Sequence, residues 1–309
     1  MAENPNSKNP NALPVGTRLN NYVIQEMLGD GGFSIVYMAT ELPDWKRVII
    51  KEYLPSKLAF RGENNNVEAL DDESKPRFNQ GRKLFFQEAN ALVGLNHPNI
   101  VRVTNFFRAF DTIYMVMEYE EGQNLQSYIQ KYNGNLSEKF LLTVFPPLLE
   151  GLKTIHEAGF LHLDIKPGNI HLCLGGKPLL LDFGAVHKLL TTRQYQSGQV
   201  ITPGFSPFEQ YNKKGYVGPW TDLYSMGATM RSCIEGTSPP PAIDRHEKDK
   251  MKPAVDEFKK QYNNKLLSAI DWAMEVDPML RPQTVDDMLH AINSGRPDSG
   301  KKLNNSNNA

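Results

Sequence analysis

Cysteine is scarce here: Cys173 and Cys233 are the only two in 309 residues, and they sit in unrelated contexts. That excludes a disulfide framework or a CxxC metal pattern and reads as two reduced thiols of a cytoplasmic protein. Charge of one sign is also missing, since 34 Lys and Arg face 35 Asp and Glu for a formal net of −1. A nucleic-acid-binding domain normally carries a marked basic excess, so nucleic acid is not expected as a partner. No apolar run approaches the ~20 residues of a membrane-spanning helix, and membrane insertion is not expected. The first seventeen residues, MAENPNSKNPNALPVGT, lack the basic start and apolar centre of a signal peptide. There is no internal repeat. What remains is an ordinary globular composition, 40% hydrophobic and 22% charged, with ample material for a core.

Residues 1–16, rich in Asn and Pro, are expected to lack structure, as is the Asn-rich tail 294–309. Between them, NYVIQEML and FSIVYMAT flank the glycine turn GDGG, and RVIIKEY follows. Adjacent strand-like runs with tight turns predict an antiparallel sheet. The polar stretch from Ser56 to Gln80 is too long for a simple connection and reads as an insertion or mobile loop, a candidate partner surface. GRKLFFQEANALVGLN has helical spacing and stops before His97-Pro98. After the strand-like IVRVTNFFRAF and TIYMVMEYE the character turns helical, in LQSYIQKY, EKFLLTVFPPLLEGLKTIHEAG, TDLYSMGATMRSCIEG and LLSAIDWAMEV. The prediction is an α+β chain of two lobes, residues 17–119 and 120–293.

The segment FLHLDIKPGN (Phe160–Asn169) places Asp164, Lys166 and Asn169 in one short loop, and LLLDFG places Asp182 just past an apolar strand. Two carboxylates, an amide and a lysine at this spacing suit magnesium–polyphosphate chemistry: holding the cation, neutralising a transferred phosphoryl group and orienting an incoming hydroxyl. A turn residue and a helix cap would account for one acid at a time but not for the joint spacing. In LGDGGFSIVY, Gly29, Gly31 and Gly32 leave backbone open to phosphates because no Cβ stands in the way. Alone, that pattern also fits an ordinary hairpin. Lys51 ends an apolar run and shares a strand face with Ile49, where an isolated ammonium is costly. Phe85, Glu88 and Leu92 share a helix face, so Glu88 sits in an apolar stripe and needs a cation. Each of the two charges explains the other.

On these residues the chain resembles the eukaryotic-like protein kinase family, with HLD (His162–Asp164) in place of HRD and DFG (Asp182–Gly184) intact. The strings KEYLPSKLAFR, PFEQY and GPWTDLYSMGAT resemble a bacterial serine/threonine subgroup. The resemblance spans about Leu19 to Ile292 and implies a bilobal kinase fold and transfer of the γ-phosphoryl group of ATP to protein Ser or Thr, the chain itself included. It assigns Asp164 as base, Lys166 to the γ-phosphoryl group, and Asn169 and Asp182 to Mg²⁺, with Mn²⁺ as a substitute. Lys51, paired with Glu88, would hold the α- and β-phosphates. Leu28, Gly29, Gly31, Gly32, Ser34, Val36 and Ile49 would cover the nucleotide, and Met117, Glu118, Tyr119 and Glu120 would form the hinge with Met117 as gatekeeper. Asn124 falls where a ribose contact is expected, and His171 where an aliphatic side chain usually supports adenine. His162 is expected to pack beneath Phe183. Glu209 would clamp Arg281, and Asp222 would cap the catalytic loop.

Three departures carry expectations. Ser34 replaces the third loop glycine, leaving phosphate contact open while stiffening the turn. His171 is expected to alter nucleotide affinity without abolishing binding. Leu163 replaces the HRD arginine, so an activation-loop phosphate at Thr191, Thr192 or Ser197 loses its main cationic partner and is not expected to be obligatory. Thr202, by contrast, is placed to matter for catalysis directly. Two other functions compete: a pseudokinase scaffold, supported by Leu163 and Ser34 alone, and a small-molecule phosphotransferase, against which the peptide platform TPGFSPFEQ argues.

Overall fold

Alternation of apolar and polar residues builds the first half of the chain. Buried Tyr22 and Ile24, then Ile35, Tyr37 and Ala39, then Val48 and Ile50 recur at every second position, the signature of strands that bury one face. The computed structural model describes residues 9–181, 187–188, 201–212 and 215–295. The chain divides into two compact units, residues 1–121 and 122–309.

In the first unit the strands are β1 (Arg18–Leu19), β2 (Tyr22–Asp30), β3 (Ser34–Glu41) and β4 (Lys46–Tyr53), then the short β5 (Ala59–Arg61) and β6 (Val67–Ala69). Helix α1 (Ser74–Val93) follows, and β7 (Val103–Ala109) and β8 (Thr112–Glu118) complete the unit. Six of the strands form an antiparallel sheet in the order β1-β2-β3-β4-β8-β7. Helix α1 packs on β7 and β8 and buries Phe78, Phe85, Ala89 and Leu92. Tyr53 stacks on Phe78 with ring centroids 5.7 Å apart and lies 5.6 Å from Phe85. Gly81 makes that fit possible, because a Cβ there would sit 1.9 Å from the Tyr53 hydroxyl.

Two expectations change. The polar stretch 56–80 is not a loop: β5 and β6 pair as a hairpin, Ala59 opposite Ala69, and α1 begins within the stretch, at Ser74. Of the start expected to lack structure, residues 9–16 are described and packed on the sheet, with Leu13 fully buried. Both depend on Arg61, whose guanidinium meets the buried Glu52 and also donates to the Asn11 carbonyl at 2.7 Å and the Asn65 carbonyl at 2.8 Å.

The second unit opens with β9 (Gly122–Asn124), α2 (Leu125–Tyr132), α3 (Glu138–Glu157) and β10 (Phe160–Leu161). Next come β11 (Ile170–Cys173), β12 (Pro178–Leu180) and β13 (His187–Lys188). The remainder is helical: α4 (Phe208–Tyr211), α5 (Pro219–Glu235), α6 (Ala242–Lys248), α7 (Ala254–Glu257), α8 (Asn264–Ala273) and α9 (Val285–Ser294). Helix α5 is the axis of this unit, buried at every position from Thr221 to Ile234. Gly227 lets α8 approach it, since a Cβ there would lie 2.7 Å from the Ala273 methyl. Among the described residues, no helix is long and apolar enough to cross a membrane.

Candidate active site

In the first unit, strand register gathers residues that lie far apart in sequence. Gly29 pairs with Val36, Val36 with Lys51, and Lys51 with Met115, one row across four strands. Ile49 sits opposite Met117, and Val48 opposite Glu118, where β8 ends at the start of the predicted hinge. Beyond that end, Arg47 lies 4.4 Å from the centroid of the Tyr119 ring. Lys51 is buried at 6% exposure, with its ammonium 6.0 Å from the centroid of the Phe85 ring. Glu88, half-buried, follows Phe85 by three residues on α1, so the helix face expected to meet Lys51 is the one that lies near it.

The turn between β2 and β3 carries a further sign of a partner. Nothing lies within 4 Å of a Cβ built on Gly29 or Gly32, and at Gly31 only the Ser34 carbonyl oxygen does, at 3.8 Å. None of the three takes a left-handed conformation that would itself demand glycine. The fold makes no use of the missing Cβ, whereas a nucleotide phosphate approaching the backbone would. Leu28 leaves its side chain half exposed beside this turn.

In the second unit, the loop between β10 and β11 converges on Asp164. Its Oδ1 accepts from Lys166 Nζ at 2.9 Å and from the Thr202 hydroxyl at 2.9 Å. Its Oδ2 accepts from Lys166 at 2.8 Å and from Asn169 Nδ2 at 2.9 Å. Asn169 Nδ2 also donates to the Asp164 carbonyl at 2.8 Å. With both amide protons turned inward, Oδ1 of Asn169 is the atom presented to a hard cation, which suits magnesium. Thr202 is held in turn by Ser206, whose hydroxyl accepts from the Thr202 amide at 3.0 Å.

Asp222 on α5 shapes this loop from beneath. It is fully buried and accepts from the amides of His162 at 2.9 Å and Leu163 at 2.7 Å, and it meets His156 Nε2 at 2.8 Å. Burial pushes the Asp222 carboxyl up, but the His156 bond and charge, with the His162 amide, outweigh it and hold the group below the usual carboxylate range. Leu163 can therefore adopt φ +60°, a conformation that strains an L-residue, with its carbonyl held by Gln210 Nε2 at 2.9 Å. Its side chain is buried with Leu161 and Val217. His162 is buried; its Nδ1 accepts from the Asp164 amide at 3.3 Å while Nε2 meets the Leu181 carbonyl at 3.0 Å. Glu209, within TPGFSPFEQ, and Arg281 form the buried two-bond clamp, at 2.7 and 3.1 Å.

Asn124 and His171 are brought together, directly opposite on β9 and β11. Asn124 also caps α2, accepting from the Ser127 amide at 2.7 Å. Asp182, Phe183, Thr191, Thr192 and Ser197 lie outside the described residues. His156, in the last turn of α3, and Gln210, in the short α4, escaped the sequence reading; nothing local names the partner of either.

The protein kinase domain family model matches residues 22–292. Serine/threonine-protein kinase D of Synechocystis sp. is 29% identical over 89% of this chain and 52% of its own. Serine/threonine-protein kinase C of the same organism is 32% identical over 71% of this chain and 40% of its own. PrkC of Bacillus subtilis is 27% identical over 73% of this chain and 32% of its own. The chain spans 32–52% of the length of these three relatives. A solved structure described as PpkA-294 apo form superposes with a TM-score of 0.80 at 34% identity, covering 91% of this chain and 99% of that one.

Proposed function

Because the chain belongs to the protein kinase family, we propose that it is a serine/threonine protein kinase. It would transfer the γ-phosphoryl group of Mg-ATP to Ser and Thr hydroxyls of proteins, itself included. Its fold is the kinase fold, an antiparallel sheet with α1 followed by a mostly helical unit. The observation that carries the activity is the Asp164 cluster. A carboxylate with both oxygens engaged by Lys166, Thr202 and Asn169 is fixed in place to receive a hydroxyl proton.

Mg-ATP supplies the phosphoryl group and neutralises much of its charge. Asp164 orients the acceptor hydroxyl and takes its proton, and Lys166 stabilises the negative oxygens of the moving group. Asn169 Oδ1, with Asp182, would hold the cation. Lys51, paired with Glu88, would hold the α- and β-phosphates, and the backbone of Gly29, Gly31 and Gly32 would be open to them. Thr202 ties the docking segment to the base, so a bound peptide is registered against Asp164. Leu163 does not argue for a pseudokinase, because the Asp222 anchor that shapes the loop is complete without an arginine. Two buried and separate thiols, Cys173 and Cys233, support a cytoplasmic setting.

The test is transfer of labelled phosphate from Mg-ATP to the chain and to a generic basic protein, with Asp164→Ala and Lys51→Ala alongside. Signal lost in both variants, on phosphoserine or phosphothreonine, is the expected result. Nucleotide binding without transfer in the parent protein would move the assignment to a pseudokinase.

A further inference from the structure

We infer that the segment Asn9–Leu13 is a brace that positions the glycine turn for nucleotide, with Asn9 and Asp30 as its working pair. This rests on the nucleotide-binding reading of that turn.

The brace is anchored at one end and touches the turn at the other. At the anchored end the Leu13 amide donates to the Tyr37 hydroxyl at 3.0 Å, and Tyr37 donates to Glu52 at 2.8 Å. Asn11 is gripped by Arg61, whose amide donates to Asn11 Oδ1 at 2.8 Å and whose Nε donates to the Asn11 carbonyl at 2.7 Å. Arg61 meets Glu52, the residue after Lys51 on β4. At the other end, Asn9 Nδ2 donates to Asp30 Oδ2 at 2.8 Å. The amide orientation is settled, because Asn9 Oδ1 already accepts from the Asn11 amide at 2.8 Å. One chain of contacts therefore runs from the strand that carries Lys51, through Arg61 and Asn11, to the residue between Gly29 and Gly31.

The backbone closes the turn itself, with Asp30 opposite Ile35 and the Gly31 amide donating to the Ser34 carbonyl at 2.8 Å, and the brace adds a side-chain tie to it. A cavity of about 250 Å³ lies behind it, lined by Asn9, Asn11, Asp30, Ile35, Leu54 and Ser56 with the turn backbone. Backbone bonds from Leu54 to Phe33 at 3.1 Å and from Ser56 to Gly32 at 3.2 Å hold the far side of the turn. The Asn9–Asp30 bond holds the near side, on the last residue of β2. A turn fixed on both sides keeps its amides aimed at one place, so less ordering remains when a phosphate arrives.

The experiment exchanges the pair. Asn9→Asp sets two carboxylates at hydrogen-bond distance, while Asn9→Asp combined with Asp30→Asn restores a donor and an acceptor with the roles reversed. The single variant is expected to raise KM for Mg-ATP about three- to tenfold with kcat within about twofold. It should weaken calorimetric binding of Mg-ADP by the same factor. The exchanged pair is expected to return both to within about twofold of the parent, with melting temperatures close throughout. An unchanged KM and affinity in Asn9→Asp, or no recovery in the exchanged pair, overturns the brace while leaving the kinase reading intact. A parent chain that binds Mg-ADP but transfers no phosphate overturns the kinase reading, and the affinity measurements still decide the brace. A parent that binds no nucleotide overturns both.

Discussion

Replacing Arg61 by methionine should destabilise the first unit by leaving the buried Glu52 without its cation. The Glu52 carboxylate has no exposed surface and Arg61 is 5% exposed, so the methionine would bury well but leave a charge behind. Glu52 would keep only the Tyr37 and Tyr114 hydroxyls, and Asn11 and Asn65 would lose their guanidinium donor. Breaking one side of a buried ion pair costs about 3–5 kcal/mol. Two phenol donors remain on Glu52, which places the expected loss near the lower end, about 3 kcal/mol. At about 1.5 °C per kcal/mol for a chain of this size, melting should fall by roughly 4–5 °C. Adding Glu52→Gln removes the stranded charge, and the double variant should recover more than half of the loss. Thermal melts of the parent, both single variants and the double complete the cycle. A single-variant loss under about 1 kcal/mol, or a double variant no better than Arg61→Met, would refute the reasoning.

Gly81→Ala should cost about 1–3 kcal/mol by overpacking, because its methyl meets the Tyr53 hydroxyl at 1.9 Å; urea titration should show Tyr53→Phe recovering only part of it, since the ring carbon Cζ still lies 2.9 Å away. Thr202→Val should lower kcat about tenfold or more with little change in melting, whereas Thr202→Ser keeps most of the rate because the hydroxyl to Asp164 survives. Single alanines at Thr191, Thr192 and Ser197 should leave turnover within about twofold, measured on a peptide substrate; collapse at any of them would refute the expectation that an activation-loop phosphate is dispensable where leucine replaces the HRD arginine. The depressed Asp222 contributes stability that is fully present above its unfolded value of about 3.9 and is lost as pH falls through its lower folded value. The melting difference between the parent and Asp222→Asn should therefore stay constant above about pH 5 and shrink only in stronger acid.

Legibility in the sequence tracked the range of the interactions. LQSYIQKY read as a helix from its local pattern, and α2 occupies those residues between Asn124 and a left-handed Asn133. The loop residues Asp164, Lys166 and Asn169 were visible together because they lie within one turn and converge on one carboxylate. Residues 56–80 were misread because their polar composition resembles a loop; what orders them is Arg61 reaching Glu52 and Asn11, and no local pattern announces such a partner. Residues 9–16 misled for the same reason, since Leu13 is a lone apolar residue among Asn and Pro, yet it is fully buried. His156 was invisible as an anchor because its partner, Asp222, lies 66 residues away on another helix.

That separation has a consequence for the protein during its own synthesis. Asp164 is made before three of the residues that shape its loop: Thr202 follows it by 38 residues, Gln210 follows Leu163 by 47, and Asp222 follows His162 by 60. The ribosome adds about 5–20 residues per second, so those 60 residues take roughly 3–12 s. Throughout that interval the nascent chain carries the HLD signature without its geometry, and the strained backbone at Leu163 has nothing to hold it. A half-made chain therefore lacks the arrangement that fixes Asp164 in the finished one.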